Sequence, residues 1–459
     1  MQEKIIAQLT KYPSGSMKEF LSICIPIMLA ASSNSIMFNV DRIMVAKYSI
    51  EALNGVALGS IAAATYQFAA VAIALIAEVF VGQYNGSKQY KKVAKPVWQM
   101  IAFSFACILL FVPIGYFSAN FYIPLEYRES GVVYFRYMMY FGFLDPLIVA
   151  IASFFIGTGR PGIVSLSVLI GSLVNILLNY ILIYGITNQI PAMGAEGAAI
   201  ATVISKTLQV IFLFRYFYTK ANKEKYAVNK IKLEIPMLKN CFKFGVPSAL
   251  NNIIEITAWN TLYLMMTGVS RQHVLLTTIS QSIYMLFAFA HNSLQKTMSA
   301  LSANYLGSKQ INFIDKSLRT SYKFVLFFIL LISIPFIGKP DLVIKLFSPD
   351  NISIKDLEFL KEFVPFLSFS IVIIIGISGL AWSTSGVLIA GGDTAFVMWT
   401  NSINVWLFVI IPSYFLVVKG VHTMNTVWVF SMCYNLMNFI LMRTRYSSNT
   451  WRKLDVSKI

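Results

Sequence analysis

Apolar residues in this chain are gathered into long blocks that short polar connections separate. A helix of roughly 20 residues crosses about 30 Å of hydrocarbon, and it satisfies its own backbone hydrogen bonds there. The pattern therefore predicts an all-α polytopic membrane protein with twelve transmembrane helices. The predicted helices are 19–42, 53–82, 96–118, 131–157, 162–185, 194–217, 241–268, 274–303, 321–338, 363–390, 396–418 and 421–442.

Composition and charge agree with a membrane protein. Hydrophobic residues make up 57% of the chain and charged residues 12%, whereas soluble globular domains carry about 25% charged residues. The 37 Lys and Arg exceed the 20 Asp and Glu, and most lie in the termini and the even-numbered connections. The positive-inside rule then places both termini in the cytoplasm and the protein in the inner (cytoplasmic) membrane. The bilayer is the expected partner of this charge, and nucleic acid is not.

An internal repeat indicates two six-helix halves. Tyr84-Asn-Gly-Ser-Lys-Gln89 reappears as Tyr305-Leu-Gly-Ser-Lys-Gln310, a shift of 221 residues that also carries Pro26 onto Pro247. The alternative is two unrelated proline kinks and a shared loop composition. An even number of spans in each half implies pseudo-two-fold symmetry about the membrane normal, with the working cavity between the halves. We expect an N-lobe at 1–218, a basic cytoplasmic linker at 219–240, and a C-lobe at 241–459 that ends in a short basic tail.

Motifs of enzyme chemistry are missing from the sequence. It has no G-x-x-x-x-G-K-[ST] phosphate loop, no H-E-x-x-H and no G-x-S-x-G. Its four cysteines have no metal-like spacing. We expect a monomeric transporter that is not an enzyme, needs no cofactor and is driven by an ion gradient. A pure channel, whose flux would neither saturate nor exchange against a gradient, is the alternative from a different class.

Polar side chains on three N-lobe helices form the first candidate site. Asp41 lies near the end of helix 1, Asn175 and Asn179 lie four residues apart on one face of helix 5, and Thr202 lies on helix 6. Carboxylate, amide and hydroxyl oxygens suit a hard cation such as Na⁺, or an exchangeable proton. The alternatives are an interfacial Asp41 paired with Arg42, and asparagines that only join helices.

The second candidate site is in the C-lobe. Glu255 lies near the middle of helix 7 with Asn251 and Trp259 on the same helix, and Tyr284 lies on helix 8. A buried carboxylate suits proton exchange or a cationic cargo, and aromatic rings can bind flat cations. These four residues are predicted to form a site for substrate or a second cation, although a structural role for Glu255 is the alternative.

Four further ionisable side chains lie inside the predicted helices. Lys206 on helix 6 is a possible internal counter-charge for Asp41 or Glu255, or it extends towards one membrane surface. Glu78 and Lys296 lie towards the cytoplasmic ends of helices 2 and 8, where each closes a gate or is solvated. His291 is near mid-span on helix 8, and a hydrogen-bonded packing role is the plainer interpretation.

With these motifs, the chain resembles the multidrug and toxic compound extrusion (MATE) family over nearly its whole length. The matching motifs are Val40-Asp41-Arg-Ile-Met-Val45, Gly82-Gln83…Gly86 with its repeat, Gly157-Thr-Gly159-Arg-Pro161 and Met193-Gly-Ala-Glu-Gly-Ala-Ala-Ile-Ala-Thr202. The resemblance implies alternating access and export of amphipathic, mostly cationic organic compounds in exchange for Na⁺ or H⁺. It also implies that Asp41, Asn175, Asn179 and Thr202 form the N-lobe cation site, and that Glu255 is the helix 7 acid of a C-lobe site.

The chain departs from this family at two places. Helix 10 supplies a second carboxylate in the branch with a C-lobe site, but Gly376-Ile-Ser-Gly-Leu-Ala-Trp382-Ser-Thr-Ser-Gly386 contains none. Lys206 stands where the family usually has a neutral residue. Two other transporters remain as alternatives. One is a lipid-linked precursor flippase of the same superfamily, which would need several interior Arg. The other is a major-facilitator transporter, whose loop G-x-x-x-D-x-x-G-R is not found after helix 2.

Overall fold

The computed structural model describes residues 9–347, 353–420 and 424–455. Within these ranges twelve long helical segments follow one another, and no β-strand is formed, so the prediction of an all-α protein is confirmed. The segments are α1 Met17–Tyr48, α2 Ile50–Gly86, α3 Tyr90–Phe117, α4 Leu125–Gly157, α5 Pro161–Tyr184, α6 Gly194–Phe217, α7 Ile235–Thr267, α8 Arg271–Gly307, α9 Asn312–Gly338, α10 Ile354–Ala390, α11 Thr394–Val418 and α12 Met424–Ser447.

Length and composition alone make ten of these described helices long and apolar enough to cross a membrane. The other two are α7 and α12, and both carry charged or amide side chains in their central turns. Several helices begin earlier than predicted, as α9 and α10 do, because their first turns are polar and lie outside the apolar block. The predicted start of helix 12 at 421–423 lies outside the described residues.

Two helices are locally irregular. α2 consists of Ile50–Ala74 and Ile76–Gly86, and its helical hydrogen bonding is interrupted at Leu75. α11 contains two π-helical turns, at Trp406–Ile410 and Tyr414–Val418. Such wide turns leave a helix more loosely wound and often accompany functional sites. The break in α2 has no strong sequence signal, since it lies in a continuous apolar stretch. In α11, Pro412 lies between the two π-helical turns, and a proline inside a helix removes a backbone hydrogen-bond donor.

The internal repeat meets itself where α2 and α8 end. A Cβ atom on Gly86 would overlap the carbonyl oxygen of Asn304, and a Cβ atom on Gly307 would overlap that of Gln83. The 221-residue shift exchanges these two contacts, because it carries 83 onto 304 and 86 onto 307. Both sides of this reciprocal contact therefore require a residue without a side chain.

Four apolar cores show how the two halves are arranged. The first two each belong to one half: one contains Val45, Phe135 and Ile183, and the other contains Met266, Leu276 and many neighbours. These residues lie towards the end of the molecule where α1 and α7 finish. The halves pack separately at that end.

The other two cores combine residues of both halves. One joins Phe80 and Phe154 to Cys241, and the other joins Phe20 to Leu301. These residues lie at the end of the molecule where α1 and α7 begin. The halves are thus joined by shared apolar packing at this end and have separate cores at the opposite end. We call these the joined end and the open end.

Polar contacts reinforce the joined end. The Tyr305 hydroxyl at the end of α8 donates a hydrogen bond to the Glu19 carboxylate near the start of α1. The Gly15 N–H donates to the same carboxylate at 2.6 Å. The Gln83 side-chain amide donates to the Ala390 carbonyl at 2.8 Å. Helices of both halves are therefore linked by side-chain hydrogen bonds as well as by apolar packing.

Candidate cation and cargo sites

Three N-lobe helices supply the first site. Asp41 is in the last two turns of α1, Thr202 is on α6, and Asn175 and Asn179 are one turn apart on α5. α5 packs against both α1 and α6, so its polar face meets the other two helices. Small residues at Gly194, Ala195 and Gly197 begin α6 and allow this close packing.

A continuous set of hydrogen bonds joins the four predicted residues. Asn179 Nδ2 donates to Asp41 Oδ1 and lies 3.2 Å from Asn175 Oδ1. Asn175 Nδ2 donates to Thr202 Oγ1 at 3.4 Å. Both asparagines are fully buried, with 0% exposure. The structure therefore brings together the four residues that the sequence singled out.

One oxygen of this site has no hydrogen-bond donor. Asn179 Oδ1 is buried and has no partner among the described residues, although its amide is next to the Asp41 carboxylate. A buried amide oxygen without a donor is costly unless something satisfies it. A carboxylate and a free carbonyl oxygen are the ligand types that hard cations prefer. This atom is the strongest structural indication of a cation site.

Arg42 does not pair with Asp41 in the structure. Its guanidinium carbon lies 4.3 Å from the centre of the Phe38 ring, and its Nε is buried without a hydrogen-bond partner in the described part of the chain. The neighbouring carboxylate is bound by Asn179 instead. The interpretation of Asp41 as an interfacial acid paired with Arg42 is therefore not what the structure shows.

Lys206 has a partner that the sequence analysis did not anticipate. Its ammonium lies 2.8 and 2.9 Å from the two carboxylate oxygens of Asp145 on α4. The expected counter-ions, Asp41 and Glu255, do not form this ion pair, because α4 packs directly on α6 and brings Asp145 closer. A signal for Asp145 was available, since an acid followed by Pro146 interrupts an apolar block.

The C-lobe site is centred on Glu255. Its carboxylate lies 3.5 Å from the side-chain nitrogen of Asn251 and 3.5 Å from the hydroxyl of Tyr434 on α12. Trp259 lies one turn after Glu255 on the same helix, and its ring centre is 6.1 Å from that of Tyr434. Tyr284 on α8 lines the same cavity. The three other residues predicted for this site, Asn251, Trp259 and Tyr284, therefore lie around the Glu255 carboxylate.

The remaining walls of this cavity are amides and aromatic rings. Asn404 Nδ2 donates to Asn438 Oδ1 at 2.6 Å, which fixes one amide beside the cavity. α10 contributes Trp382 and Ser385 but no acid. Glu255 is thus the only carboxylate among the residues described as lining the cavity. The sequence analysis missed the following wall residues: Gln295, Asn401, Tyr434, Asn435 and Asn438.

Glu78 and Lys296 face each other across the two lobes. Glu78 is only 3% exposed, and neither carboxylate oxygen has a hydrogen-bond partner among the described residues. The Lys296 ammonium on α8 interacts with it electrostatically. His291 has the plainer role: it is within 3.1 Å of the Ile375 carbonyl and of the Ser378 hydroxyl, so it is a hydrogen-bonded packing residue.

No group of three or more His, Cys, Asp and Glu side chains that would hold a metal ion is found in the described ranges. A transition-metal site of that kind is not formed by these residues. The N-lobe site has one carboxylate with amide and hydroxyl oxygens, and this set suits Na⁺ or a proton.

A polytopic helical protein built from two repeated halves, with polar sites buried among its helices, has the architecture of a secondary transporter. The described fold and both sites meet that definition. The chain belongs to the MatE family, whose family model matches residues 26–181 and 247–415. The two matched stretches begin 221 residues apart, which is the shift of the internal repeat. The predicted resemblance is confirmed, and the major-facilitator alternative is set aside.

Two curated relatives illustrate the sequence likeness. The chain is 27% identical over 282 residues to a probable multidrug resistance protein NorM of Mannheimia succiniciproducens. This alignment covers 59% of this chain and 60% of the relative. It is 22% identical over 460 residues to the uncharacterized transporter YisQ of Bacillus subtilis, which covers 96% of each. The chain thus spans about three fifths of the length of the first relative. Since family members are transporters, the prediction of a transporter and not an enzyme is confirmed.

A solved structure supports the fold. The outward-facing conformation of a multidrug resistance MATE family transporter of the MOP superfamily aligns with a TM-score of 0.81 and 17% identity. The alignment covers 99% of this chain and 100% of that one. At such low identity this likeness concerns the fold alone. It confirms the predicted fold class of twelve helices in two lobes.

Proposed function

We propose that this protein is a cation-coupled antiporter that exports amphipathic, mostly cationic organic compounds in exchange for Na⁺ or H⁺. The NorM relative is named a multidrug resistance protein, which supports export as the task. We further propose an inner-membrane location with both termini cytoplasmic, because the basic connections lie at the joined end.

The observation that carries this proposal is the Asp41–Asn179 contact with its free amide oxygen. A cation bound there would be held by the end of α1 and by α5 at the same time. Its binding would therefore favour the arrangement of α1 in which Asp41 reaches Asn179. A ligand moves a conformational equilibrium only through such differential affinity, so this contact gives the ion a way to act on the helices.

The arrangement of the lobes supports alternating access. Shared cores join the lobes at the end proposed to be cytoplasmic, and each lobe has a separate core at the other end. The space between the lobes is then open to the outside of the cell, which is the side from which the coupling ion enters. Inward access requires the joined end to separate. Ion and cargo would each favour one of these states and so exchange for one another.

The Glu255 cavity is the proposed site for cargo. A carboxylate beside Trp259, Tyr284 and Tyr434 offers negative charge and aromatic faces, which together suit a flat organic cation. Since α10 supplies no second acid to this cavity, we assign Glu255 to cargo in preference to a second ion. The N-lobe site then binds the coupling ion.

A first prediction concerns cargo affinity. Glu255→Gln should raise the half-saturation concentration for a cationic cargo about tenfold, because one charge-assisted contact is lost. An uncharged amphipathic cargo should be transported with unchanged affinity. Transport into vesicles measured with both kinds of compound checks this. An equal loss for both cargoes would assign Glu255 a structural role instead.

A second experiment tests the function as a whole. Everted membrane vesicles containing the protein should accumulate a fluorescent organic cation when a Na⁺ gradient or a pH gradient is imposed. Accumulation should saturate with cargo concentration and should stop when the driving gradient is collapsed. Vesicles from cells without the protein are the control. Accumulation with neither gradient, or flux that never saturates, would refute coupled antiport.

A further inference from the structure

The ion pair of Lys206 and Asp145 lies close to the N-lobe site. Both side chains are about one-fifth exposed, at 21% and 22%, so neither is sealed in packing. Lys206 is on α6, one helical turn after Thr202 of the cation site. Thr202 is joined to Asp41 through the amides of Asn175 and Asn179, so the Lys206 side chain lies close to the Asp41 site.

Tyr134 on α4 connects these charged groups. Its phenol lies near Thr202 and within electrostatic range of Asp41, Arg42 and Asp145. The residue is buried, with 8% exposure. Two carboxylates and the Arg42 guanidinium therefore lie around one side chain, and Lys206 is paired with one of those carboxylates.

The two basic groups are held differently. The Arg42 guanidinium lies over the Phe38 ring, whereas the Lys206 ammonium is a compact charge on a flexible stem. That stem allows the ammonium to move between nearby carboxylates without a backbone change. Of the two basic side chains described here, Lys206 is therefore the one that can pair with either of two acids, Asp145 and Asp41.

We infer that Lys206 is an internal cation that competes with the coupling ion for Asp41, and that Asp145 holds it away when the ion binds. This inference rests on the proposed function, because it concerns the same ion site. In the structure Lys206 is paired with Asp145, and Asp41 accepts a hydrogen bond from Asn179. This arrangement is the state in which the ion can bind. When the ion leaves, Lys206 moves to Asp41 and replaces its charge.

The competition predicts opposite effects for the two partners. Asp145→Asn releases Lys206 towards Asp41, so the half-saturation concentration of the coupling ion should rise about tenfold. Lys206→Met removes the competitor and leaves two carboxylates, so the same constant should fall about tenfold. Both estimates assume one partly screened charge at short range. The double variant should lie between the two single variants.

The measurement is ion-driven uptake of a fluorescent cation by proteoliposomes, titrated with whichever of Na⁺ or H⁺ drives exchange. Lys206→Arg keeps the charge, so its half-saturation concentration for the coupling ion should stay above that of Lys206→Met. Lys239→Met removes an exposed lysine at the start of α7 and should leave the constant unchanged. Gel filtration verifies that each variant is folded, and Lys206→Gln replaces Lys206→Met if the methionine variant is not.

A packing role for the ion pair gives a different pattern. Both single variants would then shift the constant in the same direction or leave it within about twofold of the original, and the double variant would recover stability. Either result overturns the competition. Failure of the proposed function is distinguishable, because in that case neither ion drives uptake even in the unsubstituted protein.

Discussion

Replacing Asp41 by asparagine is expected to abolish cargo-dependent ion flux while leaving the protein folded and in the membrane. The substitution keeps the shape of the side chain but removes the carboxylate to which the Asn179 amide donates. Loss of a charged ligand should weaken ion binding by about 1.5–3 kcal/mol, or roughly 10- to 150-fold. Ion flux triggered by cargo in proteoliposomes is the measurement.

The matched control for this experiment is Glu129→Gln. Glu129 is an exposed acid at the start of α4, so its loss should leave exchange unchanged. Equal amounts of both variants in the membrane fraction would exclude a folding defect. Full exchange by Asp41→Asn would remove Asp41 from the mechanism and leave the N-lobe amides as helix-joining groups.

A valine at Gly86 is expected to force the lobes apart at the joined end. Its side chain would overlap the carbonyl oxygen of Asn304 in the other lobe. Overpacking of this kind costs about 1–3 kcal/mol, which changes the ratio of two conformations by about 5- to 150-fold. The conformation open at this end should become the major one, and exchange should slow because that end no longer closes.

Cross-linking can report this change directly. The Asn85 amide donates to Asn304 Oδ1 at 2.8 Å across the lobes, so the cysteine pair Asn85→Cys and Asn304→Cys should react efficiently with a short bifunctional thiol reagent. Adding Gly86→Val should lower that yield. Gly162→Val is the matched control, since a Cβ atom there meets no heavy atom within 4 Å. Unchanged cross-linking in Gly86→Val would show that the joined end tolerates the extra volume.

The residues of the N-lobe site could be predicted from the sequence because their spacing along each helix is local. Asn175 and Asn179 share a helix face through their four-residue spacing, and Asp41 ends an apolar block. The structure joins Asn179 to Asp41 and Asn175 to Asn179, whereas their role in ion binding stays a prediction. The four C-lobe residues were accessible for a similar reason, since three of them lie on α7.

The partners of Lys206 and Glu255 were not accessible in the same way. Asp145 and Tyr434 reach these side chains from other helices. The sequence of one helix does not determine how that helix is rotated against its neighbour, so these contacts could not be predicted. Helix ends were missed for a physical reason too. The first turns of α9 and α10 are polar, so a prediction from apolar length alone begins these helices too late. The lobe boundaries at 218 and 241 stay a prediction.

The two cores shared at the joined end make the transport cycle sensitive to temperature. Inward access must expose Phe20, Phe80, Cys241 and their neighbours to water. Exposure of apolar surface raises the heat capacity, so the balance between the two states should follow a curved, not linear, dependence on temperature. Cooling weakens hydrophobic association and should favour the inward-accessible state. Warming within the stable range should favour the outward-accessible one.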